Sequence, residues 1–394
     1  MRKFQLTEFY ARVKFTGMNF TRSLIPFLNE DLGLKMIFIG GPRQVGKTTL
    51  AKTFLKSDQQ YFNWDDLKDR TLIKSHQIDP NLGIVVLDEI HKYTRWRMLL
   101  KGLYDKYKKD LSILVTGSAR LDTLRKGGDS LFGRYRYFRL HPFSLHEIDK
   151  DCSREGTLSL LKFGGFPEPF LSQSERRFRL WVRERTSRVI YQDLRDLDLI
   201  KDLSKMELLI DTLPGKVGSI LSINSLKEDL EVSPNTISNW LNISEAVYYS
   251  FRIMPFGGQK IRAVKKSNKL YLWNWAEIEN RGARFENFVA SQLLYYCHFH
   301  EDVNGYSMEV RFIRDTNLRE IDFVVLKNKK PIFAVECKTG DQKISSHLKY
   351  FGERLPIPKL FQVHLGKKEW KDGNIYVQKW ETFWKNRVEE LKAE

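Results

Sequence analysis

A phosphate-binding loop pattern near the N-terminus constrains this chain more than any other feature. Residues 41–48 read Gly-Pro-Arg-Gln-Val-Gly-Lys-Thr and fit the pattern Gly-x-x-x-x-Gly-Lys-Ser/Thr in full. The segment follows the apolar run Met36–Gly40 and opens helical spacing over Thr48–Leu55. A turn between a buried strand and a helix presents successive backbone N–H groups to phosphates, and the helix N-terminus adds favourable partial charge. The pattern therefore predicts a nucleotide site.

The residues of this loop have separate predicted roles. Lys47 is expected to reach the β- and γ-phosphates, and the Thr48 hydroxyl is expected to ligate magnesium. The predicted ligands are ATP and Mg²⁺. The residues expected to bind the nucleotide are Gly41, Pro42, Arg43, Gln44, Val45, Gly46, Lys47, Thr48 and Thr49.

A second part of the site follows in residues 84–89, Ile-Val-Val-Leu-Asp-Glu. This apolar strand ends in two carboxylates, which places Asp88 beside the metal, directly or through water. Glu89 is then predicted to be the general base that polarises the attacking water. The pair Asp65-Asp66 lacks a long apolar approach and is interpreted as part of a loop.

Two further positions are candidate catalytic residues of the same site. The run Ser112–Thr116 is followed by Gly117 and Ser118, so Ser118, or less favourably Thr116, is a candidate sensor of the γ-phosphate. Arg134, after Gly133, is a candidate arginine finger that acts in cis or from a neighbouring subunit; the alternative is a surface arginine.

The spacing of apolar runs predicts an α/β fold over this part of the chain. Short apolar runs alternate with amphipathic stretches from Lys35 to Leu140, which is typical of a parallel sheet covered by helices. The predicted strands are Met36–Gly40, Tyr61–Trp64, Ile84–Leu87, Ser112–Thr116 and Tyr135–Leu140, and the predicted helices include Thr48–Leu55 and Arg95–Tyr107.

A basic helical segment between Glu175 and Leu194 follows this region. Its arginines are interleaved with apolar residues and stand at positions 176, 177, 179, 183, 185 and 188. We interpret the segment as a solvated lid helix, with phosphate contact by some arginines as the alternative.

A helix-turn-helix pattern occupies Ser222–Leu241. Ser233 and Pro234 suit the N-cap and first position of its second helix. Val247–Pro255 and Lys260–Trp273 are predicted to supply wing strands, which completes a winged helix. Such modules bind DNA or other proteins, and the pattern leaves both open.

The C-terminal part carries a constellation of charged residues on predicted elements. A helix over Arg284–Leu294, a strand over Glu320–Val325 and a strand over Pro331–Lys338 resemble the core of the PD-(D/E)xK nuclease fold, although Ile321 stands where that pattern usually has proline. The resemblance implies that Asp322 and Glu336 hold magnesium. The four implied catalytic residues are Glu286, Asp322, Glu336 and Lys338, with Lys338 orienting or activating water and Glu286 assisting.

The register of the two strands decides whether this site can form. A two-residue turn at Asn328-Lys329 would set Asp322 opposite Val335 and send Glu336 to the other face. We therefore predict an odd-length turn or an equivalent bulge, with Asp322 and Glu336 close together and Lys338 beside them.

The order of these motifs resembles one large family of proteins. Gly-Pro-Arg-Gln-Val-Gly-Lys-Thr-Thr-Leu at 41–50, Leu-Asp-Glu-Ile-His at 87–91, Thr-Gly-Ser at 116–118, Gly-Arg at 133–134 and Gly-Gly-Phe-Pro-Glu at 164–168 are similar to those of prokaryotic predicted AAA+ ATPases with a nuclease-like C-terminal domain of unknown function. With the patterns above, the resemblance implies an AAA+ P-loop core over 1–145, a helical lid over 146–205, a winged helix-turn-helix over 206–275 and a PD-(D/E)xK-like α/β domain over 276–394.

Composition and charge indicate the partners and the compartment. The formal net charge is +17, which favours a polyanionic partner, and nucleic acid, most readily DNA, is the predicted one. We expect no membrane span, no secretory signal and no disulfide framework, and hence a cytoplasmic protein. The AAA+ core makes a homo-oligomer possible.

Two functions remain open at this point. The first is an ATP-controlled nuclease that acts on DNA. The second is an ATP-driven switch or binding platform for DNA or protein, with a catalytically silent C-terminal domain. A nucleotide-bound assembly protein without ATP turnover is a weaker third option.

Overall fold

The structure is a computed structural model and describes residues 13–15, 18–117, 131–189, 202–257 and 268–393. The chain divides into two compact units. The first ends at His141 and also takes Glu147–Asp149. The second contains Pro142–His146 and the described chain from Lys150 onward.

The first unit contains seven described strands in two sheets. The strands are β1 (Val13–Phe15), β2 (Met18–Phe20), β3 (Met36–Gly40), β4 (Tyr61–Asn63), β5 (Ile84–Asp88), β6 (Ser112–Thr116) and β7 (Tyr135–Arg139). The helices are α1 (Ile25–Asp31), α2 (Lys47–Lys52), α3 (Leu67–Lys74) and α4 (Trp96–Tyr107), and α5 (Leu145–Ile148) follows in the sequence. β1 and β2 form an antiparallel pair, and the other five strands form a parallel sheet in the order β4-β5-β6-β3-β7.

The parallel sheet confirms the α/β prediction for this region. All five residues of β3 are buried, because helices cover a parallel sheet on both faces. Phe38, Leu87 and Val115 from three neighbouring strands share one apolar core with Leu100 of α4. Because parallel strands run in one direction, the loops that follow β3, β5 and β6 leave the same edge of the sheet.

The second unit begins with helices and ends in a large sheet. The helices are α6 (Arg154–Phe163), α7 (Pro167–Ser172), α8 (Glu175–Arg188), α9 (Leu203–Thr212), α10 (Ile223–Leu230), α11 (Pro234–Ala246), α12 (Arg281–Asn304), α13 (Ser346–Arg354) and α14 (Trp380–Ala393). The strands are β8 (Ser250–Pro255), β9 (Lys269–Leu272), β10 (Met308–Arg314), β11 (Glu320–Lys327), β12 (Lys330–Lys338), β13 (Leu360–His364), β14 (Trp370–Asp372) and β15 (Ile375–Lys379). Within the described ranges, no helix combines the length and the apolar character that a bilayer crossing requires.

One sheet crosses the domain boundary that the sequence predicts at residue 275. Its strand order is β14-β15-β13-β12-β11-β10-β8-β9. The predicted wing strands correspond to β8 and β9, which pair antiparallel with each other, while β8 pairs parallel with β10 through Met254 and Arg311. Residues 276–394 therefore do not form a sheet of their own, because their sheet includes two strands from the preceding segment.

The helix-turn-helix pattern corresponds to α10 and α11. The Ser233 side chain accepts a hydrogen bond from the backbone N–H of Thr236 at 3.1 Å, and Pro234 occupies the first turn, as the sequence predicts. Ile237, Trp240 and Leu241 on α11 are buried, as expected for an inner face.

The hairpin of β11 and β12 contains the predicted bulge. Its turn has two residues, Asn328 and Lys329, and both have left-handed backbone conformations, with φ of 51° and 66°. The register shifts between Val325 and Leu326, because β12 carries one extra residue there. Beyond this shift Phe323 pairs with Val335. Extending the same register by one residue places Asp322 opposite Glu336.

The turn conformation yields a prediction about Lys329. A residue with a Cβ atom is strained at φ of 66°, whereas glycine is not. Lys329→Gly should stabilise the hairpin by about 0.5–1 kcal/mol, and hydrogen exchange of the β11 and β12 backbone amides should slow accordingly. Lys330→Gly, one residue further into β12, should destabilise the same hairpin by about 0.5–1 kcal/mol. Equal effects of the two substitutions would contradict the turn geometry.

Candidate functional site

In the first site, side chains from three elements donate hydrogen bonds to the Asp88 carboxylate at the end of β5. It accepts hydrogen bonds from the hydroxyls of Thr48 at 2.7 Å, Tyr61 at 2.8 Å and Thr116 at 2.5 Å. These donors come from α2, β4 and β6, so one carboxylate connects the helix after the phosphate-binding loop to the strands on both sides of β5. The structure thus brings the predicted Thr48 and Asp88 together.

The phosphate-binding loop has the backbone of an anion cradle. Gly41, Gln44 and Gly46 have φ of 138°, 60° and 97°. A loop that combines positive-φ residues with ordinary ones can turn successive N–H groups toward one concave side, which is the arrangement that binds phosphates. The Lys47 ammonium, mostly buried, donates to the carbonyl oxygens of Gly41 at 2.9 Å and Pro42 at 2.6 Å.

Glu89 follows Asp88 in a left-handed conformation with φ of 56°. Its backbone N–H donates to the Thr116 carbonyl at 3.0 Å, which fixes the residue at the edge of the sheet. Its carboxylate lies 3.5 Å from the Lys92 ammonium and 3.6 Å from Nε2 of His91. Burial raises the pKa of Glu89, Lys92 lowers it and the charge of Asp88 raises it further, with a net upward shift. A carboxylate with a raised pKa is a stronger base, which suits the predicted role.

A buried arginine outside the phosphate-binding loop is hydrogen-bonded to the loop backbone. Arg22 donates to the Val45 carbonyl in the loop at 2.6 Å, to the His141 carbonyl at 3.0 Å and to the Glu147 carboxylate at 3.0 Å. The pair Arg22–Glu147 spans 125 residues of sequence, so no local pattern indicates it. Sequence reasoning also missed Tyr61, a donor to Asp88 that lies on a neighbouring strand.

The structure corrects the prediction for Arg134 as a finger in cis. β7 runs parallel to β3 with Tyr135 beside Met36, and the Met36 N–H donates to the Arg134 carbonyl. Arg134 therefore lies beside the start of β3. The length of β3, roughly 15 Å, separates it from the loop that follows Gly40. Its guanidinium forms a bidentate pair with Asp105 on the surface, at 2.8 and 3.1 Å. Only action from a neighbouring subunit stays a prediction for this residue.

The remaining predicted residues of this unit have clear positions. Ser118 lies outside the described residues, and Thr116, the other sensor candidate, donates to Asp88. Asp66 is the N-cap of α3, accepting from the N–H groups of Lys68 and Asp69, which agrees with the loop interpretation of Asp65-Asp66.

The side chains and backbone of this site fit a magnesium ion and a nucleotide. Mg²⁺ prefers a few hard oxygen ligands and keeps several waters, and the Thr48 hydroxyl and Asp88 carboxylate supply such oxygens side by side. The cradle and the Lys47 ammonium supply the donors that phosphate oxygens require.

Gly41 provides a test of the cradle. A Cβ atom at this position would lie 2.3 Å from the Leu140 carbonyl oxygen, and the φ of 138° disfavours any other residue. Gly41→Ala should therefore distort the loop and weaken ATP binding by about tenfold or more, since such strain costs ~1–3 kcal/mol. Affinity for a fluorescent ATP analogue measures the effect. Gly33→Ala, where an added Cβ meets nothing within 4 Å, is the control and should bind like the wild type.

The second site is a cluster of charged side chains in the second unit, which we call the C-terminal acidic cluster: Glu286, Glu320, Asp322, Glu336, Lys269 and Lys338. The Lys269 ammonium lies 3.1 Å from Glu286, 2.5 Å from Glu320 and 3.7 Å from Asp322. Burial alone would lower the pKa of Lys269, but these three charges raise it above its ordinary value, so the side chain stays an ammonium. Sequence reasoning missed this lysine, which precedes the apolar run Leu270–Trp273.

The predicted residues of β11 and β12 meet in this cluster. One Asp322 oxygen accepts from the Cys337 backbone N–H at 2.8 Å, and the Lys338 ammonium donates to Glu336 at 2.8 Å. Burial, then the charge of Asp322, raises the pKa values of both Glu286 and Glu336. Glu336 Oε2 is buried and has no hydrogen-bond partner among the described residues. Asp322 is thus bonded to the residue that follows Glu336, Glu336 is bonded to Lys338, and Glu286 and Asp322 both lie against Lys269.

Comparison with known protein families agrees with the site in the first unit. Residues 34–149 match the model of an AAA domain. Residues 154–276 match a domain of unknown function, DUF8612, and residues 281–383 match another, DUF4143. The eight-stranded sheet includes strands from both of these segments.

Relatives and solved structures extend the comparison. The uncharacterized protein MJ1544 of Methanocaldococcus jannaschii is 24% identical over 381 residues, covering 86% of this chain and 84% of that protein. The uncharacterized protein Rv2008c of Mycobacterium tuberculosis is 24% identical over 297 residues, covering 68% of this chain and 66% of that protein. The Aeropyrum pernix Orc1 protein in complex with DNA is 12% identical with a TM-score of 0.34, covering 69% of this chain and 94% of that chain. The Thermotoga maritima RuvB branch migration motor is 15% identical with a TM-score of 0.28, covering 58% of this chain and 88% of that chain.

Proposed function

We propose that this protein is a magnesium-dependent AAA+ ATPase that acts on DNA. The observation that carries the ATPase proposal is the Asp88 carboxylate, bonded to Thr48 beside the phosphate cradle and followed directly by Glu89. This arrangement joins the metal ligands, the phosphate donors and the base at one edge of the sheet. The match of residues 34–149 to an AAA domain supports the same conclusion.

The reaction follows from the positions of these side chains. Glu89 accepts a proton from water, and the water oxygen attacks the γ-phosphorus of ATP. The bond to the β,γ-bridging oxygen breaks, which releases ADP and phosphate. Lys47 donates to phosphate oxygens during this step, and Thr48 and Asp88 would hold Mg²⁺, which supplies charge neutralisation.

Lys47→Ala and Glu89→Gln separate binding from hydrolysis. Removing the Lys47 ammonium should weaken ATP binding by about 10- to 100-fold, because a charge-assisted hydrogen bond contributes ~1.5–3 kcal/mol. Glu89→Gln should bind ATP with unchanged affinity and lower turnover by about 10²- to 10⁴-fold, because an amide is no base. Equilibrium binding and phosphate release measure the two effects.

The same two substitutions at exposed positions away from the site serve as controls. Lys56→Ala and Glu155→Gln remove the same groups at exposed positions and should leave both quantities unchanged. Turnover at the wild-type rate in Glu89→Gln would exclude Glu89 as the base, and unchanged affinity in Lys47→Ala would exclude the nucleotide site.

The exposed face of α8 supports contact with nucleic acid. The helix contains six arginines and two glutamates, and only Arg185 among the arginines is buried, where it pairs with Glu277 at 3.3 Å. By contrast, α11 contains no lysine or arginine, and α10 has one lysine against one glutamate and one aspartate. We propose that α8 contacts DNA phosphates and that the winged-helix-like α10–α11 pair contacts protein.

Neutralising two arginines on one face of α8 tests this assignment. Arg176 and Arg183 are exposed and seven residues apart, so they share a face. Arg176→Gln with Arg183→Gln should weaken DNA binding and reduce the slope of log affinity against log salt by about 2, because each phosphate contact contributes ~0.9. Lys359→Gln with Lys368→Gln removes equal charge at other exposed positions and should change neither quantity. Equal losses in both double variants would indicate that net charge alone drives binding.

The C-terminal part of the second unit supports a PD-(D/E)xK-like fold. Glu286 on α12, Asp322 on β11 and the pair Glu336 and Lys338 on β12 occupy the elements that this pattern requires. Such a fold binds or cleaves nucleic acid, and its metal site distinguishes these activities.

A further inference from the structure

The C-terminal acidic cluster already contains a cation at its centre. Lys269 is only 1% exposed, and its ammonium lies against three carboxylates from two elements: Glu286 on α12, and Glu320 and Asp322 on β11. A buried charge is tolerated where it is paired, because an unpaired one costs several kcal/mol. The lysine and these carboxylates therefore stabilise each other.

The backbone around Lys269 fixes this arrangement. Lys269 pairs with Ile253 of β8 and with Ile220, so its strand is held from both sides. Tyr271, two residues along the same strand, donates its hydroxyl to Glu286 at 2.8 Å. Lys269 and Tyr271 donate to the same Glu286 oxygen, because alternate residues of a strand point to one face.

A magnesium ion has poor access to these carboxylates. Mg²⁺ requires oxygen ligands at about 2.0–2.1 Å in an octahedral arrangement. One Asp322 oxygen is bonded to the Cys337 N–H, the other faces Lys269, and one Glu336 oxygen is bonded to Lys338, so of these four oxygens Glu336 Oε2 alone lacks a partner in the described part of the chain. A second cation would also be repelled by the ammonium. Across the described residues, no group of three or more His, Cys, Asp and Glu is arranged to hold a metal ion.

We propose that Lys269 is a built-in counterion that takes the place of the metal, and that the C-terminal domain does not cleave nucleic acid. This inference rests on the proposed PD-(D/E)xK-like fold and is independent of ATP hydrolysis in the first unit. It favours the second of the two functions left open by the sequence, an ATP-driven switch or platform with a catalytically silent C-terminal domain.

Titration of the nucleotide-free full chain with Mn²⁺ tests the proposal first. Wild type and Asp322→Asn should take up the same amount of Mn²⁺ with the same affinity by calorimetry, because Asp322 holds no metal. Any weak binding at Thr48 and Asp88 is common to both proteins. A Mn²⁺ equivalent that is present in the wild type and lost in Asp322→Asn would overturn the proposal.

Removing the lysine provides the converse test. Lys269→Met should gain one Mn²⁺ equivalent per chain, and adding Asp322→Asn should abolish that gain. Lys371→Met, at an exposed position, is the control and should gain none. A folded Lys269→Met that gains no Mn²⁺ would contradict the substitution of metal by lysine. If Lys269→Met does not fold, the comparison of wild type with Asp322→Asn still decides. ATP turnover measured on the same variants separates a failure of this inference from a failure of the ATPase proposal.

Discussion

The hydrogen bonds to the Asp88 carboxylate are the interaction on which the first unit depends. A mostly buried carboxylate needs donors, and three hydroxyls from Thr48, Tyr61 and Thr116 provide them. Because these donors belong to α2, β4 and β6, satisfying one charge also fixes the start of the helix after the phosphate-binding loop relative to the sheet. The order β4-β5-β6-β3-β7 makes this possible, since it places β5 between β4 and β6 and places β6 next to β3.

The two carboxylate sites of the chain meet the same physical requirement in different ways. The Asp88 carboxylate accepts hydrogen bonds from three neutral hydroxyls, and its oxygens can also ligate a magnesium ion. The C-terminal acidic cluster contains its own ammonium, so the charge of Glu286, Glu320 and Asp322 is compensated within the protein. Neutral donors leave a carboxylate able to ligate a metal, whereas a buried lysine competes with the metal. This difference supports the proposal that ATP is hydrolysed in the first unit and that the C-terminal acidic cluster is catalytically silent.

Local patterns account for the parts of the structure that could be predicted. The phosphate-binding loop, the buried strands around it and the N-cap at Ser233 each depend on residues close together in sequence. The bulge in β12 was also predictable, because only an odd-length turn or an equivalent bulge places Asp322 opposite Glu336. Strand register between distant segments was less accessible: Arg134 has a suitable motif, but the pairing of Tyr135 with Met36 places it at the wrong end of the sheet for action in cis. Arg22 and Lys269 gave no usable signal, because their carboxylate partners are supplied by the tertiary fold.

A crystal structure of the full chain with Mn²⁺ and a non-hydrolysable ATP analogue tests the central claim most directly. Anomalous scattering locates Mn²⁺ without assumptions about ligands. We predict one manganese peak beside Thr48 and Asp88 at the phosphates, and none at the C-terminal acidic cluster, where the Lys269 ammonium should remain against Glu286 and Asp322. A manganese ion bound by Asp322 and Glu336, or a nucleotide bound without metal near Thr48, would contradict this claim.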